Sequence, residues 1–207
     1  TDKYINGENG NYLNAKVYIK GTITFDGSIS ATSPGKFDST RVLAAKTFTI
    51  NNDKTFKNGR LSNLGSVIMN AGSVWENSED WHNYSTQTLN ASSTVKFNGN
   101  GTSPTFGYQR VYSKISTATN VFGNVEIANT QSPPADTTTT TGVLLRDNMV
   151  LQDASNLTFT DGVLVTGANK VIVNNTANTA VNYGGANSDY ASSWVYGTIR
   201  RYLANAD

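Results

Sequence analysis

The 207-residue chain has no cysteine and only one histidine. Without cysteine there is no disulfide, so stacked strands and backbone hydrogen bonds must supply the stability. A single imidazole also leaves a zinc or iron–sulfur site almost without ligands, and no cofactor is predicted. Charged residues make up 15% of the chain and the net charge is +1, which does not favour nucleic-acid binding.

Long apolar runs are missing as well. None approaches the ~20 residues of a membrane span, and the N-terminus has no apolar signal-peptide core. We therefore expect no membrane span, and a chain that is a mature form or is excised from a longer protein. Asn, Thr, Ser and Gly together supply 90 of the 207 residues, and strong helix formers are sparse, which favours strands and turns over helices.

Short apolar clusters recur every six to eight residues in the second half of the chain. They centre on Leu144, Val150, Leu157, Leu164 and Ile172. Each is too short for a helix, and three of them with their corners fill about one 21-residue coil of a repeat architecture. The spacing predicts an all-β fold, a right-handed parallel β-helix or solenoid, with asparagine ladders at its corners. The alternative is an antiparallel β-sandwich or jelly roll.

The predicted core residues of this solenoid are Leu144, Leu157, Phe159, Leu164 and Ile172. A Pro/Thr-rich stretch interrupts the pattern at residues 130–141, where Pro133 and Pro134 precede five consecutive threonines. Proline removes ladder donors, so this stretch is predicted to be an exposed loop. It separates N-terminal coils at residues 1–129 from C-terminal coils at residues 142–207, without requiring a domain boundary.

Several elements resemble a module of secreted surface proteins of the Bacteroidota. An F-x-N-h-x-h strand, where h is apolar, occurs at residues 122–127, and G-V-x-L begins at Gly142. N-L-T-h-T-x-G-x-L-x-T is similar to residues 156–166, and S-x-V-x-G-x-h-x-R matches residues 193–201. Upstream, residues 92–99 resemble S-x-T-V-x-F-x-G. The resemblance covers about 110 of the 207 residues, with Val125 in place of the usual Leu and an insertion after Ile127.

The resemblance implies a β-solenoid repeat segment of a larger, multidomain exported protein, carried by type IX secretion and then secreted or displayed at the cell surface. A structural, adhesin-like role follows, with flanking domains of the same polypeptide, surface glycans or other surface proteins as partners. It also implies O-glycan acceptors at Ser39 and Thr137, which follow Asp38 and Asp136.

Ionisable and aromatic side chains are densest around residues 75–84. Trp75, Glu76, Trp81 and Tyr84 are the candidate glycan contacts, since carboxylates beside aromatic platforms suit sugar recognition. No catalytic residue is predicted, because the adjacent Glu79 and Asp80 would point to opposite faces of a strand and spoil a paired acid–base site. The structural alternative makes the two tryptophans core residues.

Two further motifs favour structural roles over chemical ones. Residues 6–11 are rich in oxygen ligands but lack the regular Asp spacing and distal Glu of a strong calcium loop, so no metal site is predicted. Arg200 and Arg201 are expected to contact a neighbouring coil or domain.

The sequence thus favours a non-catalytic structural segment. The alternative function is a right-handed β-helix enzyme that degrades polysaccharides. Ice binding is a further rival because Thr-x-Thr pairs occur at residues 22–24, 47–49 and 158–160, but their irregular spacing argues against one shared face.

Overall fold

The computed structural model describes residues 3–5, 16–27, 37–99, 108–113, 121–129, 142–183 and 193–203. Within these ranges the structure is all β, with short strands separated by turns. The turns use residues that tolerate left-handed backbone angles, such as Asp53 with φ of 57° and Gly72 with φ of 68°. The predicted loop at residues 130–141 and the oxygen-rich run at residues 6–11 lie outside the described residues.

The strands of the first half are as follows: β1 Lys3–Ile5, β2 Lys16–Ile19, β3 Thr22–Phe25, β4 Phe37–Val42, β5 Thr47–Ile50, β6 Thr55–Asn63, β7 Ser66–Met69, β8 Val74–Asn77, β9 Trp81–Asn83 and β10 Thr86–Leu89. Those of the second half are β11 Thr94–Phe97, β12 Tyr108–Tyr112, β13 Asn124–Ala128, β14 Gly142–Leu145, β15 Met149–Leu151, β16 Leu157–Val173, β17 Val181–Tyr183 and β18 Ser193–Arg201.

These strands form two sheets. The first has five strands in the order β1-β3-β5-β7-β10, and the second has thirteen. Every pairing between described strands is parallel, so these residues do not form the antiparallel sandwich considered as the alternative. In the larger sheet, β6, β8, β11, β13, β16, β14, β12 and β9 close a ring of pairings, because β6 also pairs with β9.

One hydrophobic core runs through both blocks of the chain. In most of the short strands alternation turns every second side chain inward, as in β5, where Phe48 and Ile50 are fully buried. Aromatic rings meet edge to face through this core. The centroids of Phe56 and Trp75 are 5.0 Å apart, and those of Trp75 and Trp81 are 5.1 Å apart.

The predicted core is correct for Leu157, Phe159 and Leu164, each fully buried. Ile172 was assigned to the wrong face: it is half-buried, and its neighbours Val171 and Val173 point into the core. Leu144 is buried at 8% exposure, but the core cluster takes Val143 and Leu145 from that strand. The burial of Leu144 agrees with the prediction, and only at Ile172 did centring the apolar run on its middle residue select a side chain that faces away from the core.

Asparagine ladders form at the corners, as predicted. The Thr40 hydroxyl donates to Asn58 Oδ1 at 3.0 Å, and Asn58 donates in turn to Asn77 Oδ1 at 3.5 Å. A second ladder joins Asn63 to Asn83 at 2.7 Å, 20 residues along the chain. Near the C-terminus Arg201 donates to the carbonyl oxygen of Ala177, a structural contact with a preceding turn.

Candidate functional site

The outer face of one part of the larger sheet carries a rank of polar and aromatic side chains. Parallel register aligns Tyr18 with Arg41, Arg41 with Ser62, Ser62 with His82, and His82 with Tyr112. The five residues lie on β2, β4, β6, β9 and β12. Because neighbouring strands lie about 4.8 Å apart, the rank extends over about 19 Å.

A groove of about 430 Å³ follows the first four residues of this rank and their neighbours. Basic side chains (Lys16, Arg41 and Arg60), acidic side chains (Asp38 and Glu79) and hydroxyl groups (Ser39, Thr40 and Ser62) line it together with Val17, Tyr18, His82 and Tyr84. Tyr18 is 52% exposed and Tyr84 is 41% exposed. The groove therefore combines charge, hydroxyl groups and accessible aromatic rings.

The turn before β9 is fixed by hydrogen bonds to its backbone. The Glu79 carbonyl accepts from Asn77 Nδ2 at 2.7 Å and from Gln109 Nε2 at 2.8 Å. The Glu79 N–H donates to the Gly59 carbonyl at 2.9 Å. With its backbone held in this way, the turn presents the Glu79 carboxylate to the groove in a constant position.

Asp80 is the buried anchor of the site, with 4% exposure. Its Oδ1 accepts from the Arg110 backbone N–H at 3.0 Å, and its Oδ2 accepts from Arg110 Nε at 3.1 Å and from Arg110 Nη2. Arg60 Nε lies 3.8 Å from the same Oδ2. Such charge-assisted bonds hold both Asp80 and Arg110 in fixed positions.

The sequence predicted that the side chains of Glu79 and Asp80 point to opposite faces of a strand, and this prediction is wrong. Arg60 Nη2 lies 3.7 Å from Glu79 Oε2 while Arg60 Nε approaches Asp80, so both carboxylates contact one guanidinium. The reason is local: the two residues belong to a turn rather than to a strand, so strand alternation does not apply to them.

His82 lies between this charged cluster and two tyrosines. Its Nε2 is 3.6 Å from Asp80 Oδ2, and its ring centroid is 4.9 Å from that of Tyr112 and 5.6 Å from that of Tyr84. Burial lowers the pKa of His82 below the ordinary 6.5, against the opposing effect of Asp80 and with help from Arg110 and Arg60. Burial and the neighbouring Tyr112 raise the pKa of Tyr84 above 10.0.

The four predicted glycan contacts do not come together. Trp75 and Trp81 are fully buried in the core and offer no ring face to a ligand, which corrects their assignment and supports the structural alternative. Glu76 lies on another part of the sheet, where Lys57 Nζ is 3.8 Å away and Asn98 Nδ2 donates to it at 3.1 Å. Only Tyr84 lines the groove.

Of the two predicted O-glycan acceptors, Ser39 is half-buried on β4 and lines the groove, whereas Thr137 lies outside the described residues. Sequence reasoning missed Tyr18, Arg41, Arg60 and Tyr112. The signal that would have found them is register: Tyr18, Arg41, Ser62 and His82 follow one another at intervals of about 20 residues.

No group of three or more His, Cys, Asp or Glu side chains able to hold a metal ion occurs among the described residues. In the same ranges we find no helix that has the length and apolar character for crossing a membrane. Comparison of the chain with protein-family models, with curated proteins and with solved structures gave no match.

Proposed function

We propose that this chain is a right-handed parallel β-helix segment of a secreted or cell-surface protein, with a non-catalytic, adhesin-like role and a groove that binds an acidic glycan. The groove built on Tyr18, Arg41 and Arg60 is the observation that carries the binding part of the proposal. The sequence resemblance to Bacteroidota surface proteins supports the location.

The β-helix interpretation is supported by how the two longest strands pair. Residues Thr55 to Asn58 of β6 pair with β8, whereas Leu61 to Asn63 pair with β9. In the same way, one part of β16 pairs with β13 and another with β14. When the two halves of a strand pair with different neighbouring strands, the chain turns a corner between the halves. The ring of eight pairings is therefore consistent with the successive coils of a β-helix. Crossovers between parallel strands are nearly always right-handed.

The location is supported by the positions of the resembling elements. The F-x-N-h-x-h element overlaps β13, and G-V-x-L forms β14. The longer N-L-T element lies in the first part of β16, and the final S-x-V-x-G element spans β18. The strands that carry the other three parts, β13, β14 and β18, each pair with β16, as expected for neighbouring coils of one repeat array.

An acidic glycan suits the groove for electrostatic reasons. Three basic groups, from Lys16, Arg41 and Arg60, face it against the two carboxylates of Asp38 and Glu79, and Arg60 is already engaged by Glu79 and Asp80. Arg41 is exposed, and the planar guanidinium binds a carboxylate with two parallel hydrogen bonds. The exposed Tyr18 ring offers an apolar surface for a sugar ring beside it.

An enzyme remains the second candidate because Glu79 and Asp80 share Arg60 at the groove. A glycoside hydrolase needs one carboxyl group able to donate a proton and another able to attack or to activate water. Asp80 is poorly placed for either role, since its oxygens already accept three hydrogen bonds from Arg110. This geometry favours binding over cleavage.

Calorimetric titration with oligogalacturonate and with a neutral malto-oligosaccharide of equal length tests the proposal. We expect binding of the acidic oligomer only. Arg41→Ala should weaken it about tenfold, a loss of ~1.4 kcal/mol, and Lys170→Ala, which removes a cation from β16, should leave it unchanged. Equal weakening by both variants, or no binding, would reject the acidic-glycan groove. Release of new reducing ends from polygalacturonate would favour the enzyme instead.

A further inference from the structure

The outer face of the five-stranded sheet is a small, regular array of threonines. On β3, β5, β7 and β10 the core-facing positions are occupied by residues such as Phe48, Ile50, Val67 and Met69, all buried. The alternate, outward positions are Thr22 and Thr24, Thr47 and Thr49, Ser66 and Ile68, and Thr86 and Thr88. Six of these eight residues are threonine and a seventh is serine.

Parallel register arranges these residues in two straight ranks. The first rank pairs Thr22 with Thr47, Thr47 with Ser66, and Ser66 with Thr86. The second rank contains Thr24, Thr49, Ile68 and Thr88 in the same order. Neighbouring residues of a rank lie about 4.8 Å apart, and the two ranks lie about 6.6 Å apart, two residues along a strand.

The array differs from the groove in chemistry. None of its eight side chains is charged or aromatic, and seven carry a hydroxyl group. Threonine presents a methyl group beside its hydroxyl, so a rank of threonines alternates apolar and hydrogen-bonding surface with the strand spacing. Its stiff β-branched side chain also limits the entropy lost when the surface is ordered. An uncharged and doubly periodic surface is complementary to a periodic solid rather than to a single folded partner.

We propose that this face binds ice. The two spacings are close to those between oxygen atoms on planes of hexagonal ice, so water ordered by the ranks can join the crystal lattice. A crystalline polysaccharide is the other periodic solid to consider, but sugar rings stack on aromatic side chains, and none occurs among these eight positions. Ice is therefore the occupant that the array fits best.

The three Thr-x-Thr pairs at residues 22–24, 47–49 and 158–160 do not share one face, as predicted from the sequence, but the first two do. The irregular intervals between Thr-x-Thr pairs did not exclude a common face, because pairs on successive strands align despite turns of different length. Thr158 and Thr160 do not belong to this face: they lie on β16, where the Thr160 hydroxyl donates to Glu126 Oε1 at 2.8 Å. Thr86 and Thr88, which the sequence argument overlooked, complete the array.

Thermal hysteresis of the purified chain, with the shape of ice crystals growing in its solution, tests the proposal. We expect measurable hysteresis and faceted crystals. Thr49→Tyr should abolish both, because a bulky ring at the centre of the array lifts the surface away from the lattice. Ile68→Thr, which completes the second rank, should increase the hysteresis.

The matched control is Thr158→Tyr, the same substitution at an outward position of β16 in the larger sheet. It should leave the hysteresis at the level of the unsubstituted chain, and circular dichroism shows whether each variant is folded. No hysteresis in the unsubstituted chain, or equal loss in Thr49→Tyr and Thr158→Tyr when both are folded, would overturn the proposal. Co-sedimentation with crystalline cellulose in place of hysteresis would identify a polysaccharide surface instead.

Discussion

Asn63 Nδ2 donates a hydrogen bond to Asn83 Oδ1 across 2.7 Å, and neither side chain is exposed. Asn63 Nδ2 also donates to the Thr86 carbonyl at 2.7 Å, and its Oδ1 accepts from the Gly65 N–H at 3.0 Å. The Asn63 amide thus pairs with backbone groups of Gly65 and Thr86 and with the side chain of Asn83 on the neighbouring strand. Such a buried network is stabilising only while every member is paired.

Asn63→Leu should therefore destabilise the protein strongly. It leaves the Gly65 N–H buried without its Asn63 acceptor, at about 1–3 kcal/mol, and Asn83 Oδ1 keeps only the longer bond from the Ser85 N–H at 3.4 Å. Urea unfolding measures the loss. Asn52→Leu, at an exposed turn position, is the control and should change the free energy of unfolding by less than about 0.5 kcal/mol. Equal effects would contradict a structural role for the ladder.

Leu157 tests the core in the same way. It is fully buried where β16 pairs with both β13 and β17, opposite Val125 and Val181. Leu157→Ala removes packed methyl groups and should cost about 2–5 kcal/mol. Its neighbour Thr158 faces outward, so Thr158→Ala should have a small effect on thermal unfolding. If the two variants melted alike, the inward and outward assignment of β16 would be wrong.

Two glycines with positive φ allow the cost of backbone strain to be measured separately from the cost of a steric clash. Gly162 has φ of +92°, and a Cβ there would lie 2.3 Å from the Asn129 carbonyl oxygen; Gly167 has φ of +59° and open space around it. Gly167→Ala should cost about 1–2 kcal/mol from the left-handed backbone alone. Gly162→Ala should cost clearly more, because the clash with backbone is added. Chemical unfolding of both variants gives the comparison, and equal losses would show that β13 and β16 are not so closely apposed.

The single histidine gives an unambiguous pH probe. Because burial lowers the pKa of His82, its NMR titration should have a midpoint below 6.5. As the pH falls below 6.5, the unfolded chain takes up the proton before the folded chain does, so stability decreases from that pH downward and is fully present above it. His82→Gln should reduce this slope below pH 6.5.

Asp80→Asn provides the second test of the same site. Asp80 favours the protonated imidazole, so its neutralisation should lower the His82 midpoint further. A midpoint that rises in this variant, or that lies above 6.5 in the unsubstituted chain, would contradict the described environment of His82.

Much of the architecture was predictable from short-range pattern. The alternation in residues 47–50 and the short apolar clusters after Leu144 predicted parallel β structure with asparagine at the corners, because side-chain period and turn chemistry are local properties. The same alternation, applied to Trp75, would have placed it inward in line with Phe56 and Val95, its partners in register. The prediction that Trp75 offers its ring to a glycan was wrong because it considered only which residue types lie near one another in the sequence. It did not consider which face of the strand each side chain occupies.

The groove was not predictable in that way, because its residues are distant in sequence. Arg41, Ser62 and His82 become neighbours only when the strands are paired in register. Strand pairing depends on the length of every turn, which no local pattern specifies. The threonine array shows the same effect, since Thr86 and Thr88 join Thr47 and Thr49 only through β7.

The most direct test of the glycan groove uses the His82 imidazole as a reporter during NMR titration with oligogalacturonate. We expect saturable shifts of the imidazole signals, because His82 and Arg41 line the same groove, and a loss of that response in Arg41→Ala. Binding of the oligomer without any change at His82, or no binding at all, would contradict the account.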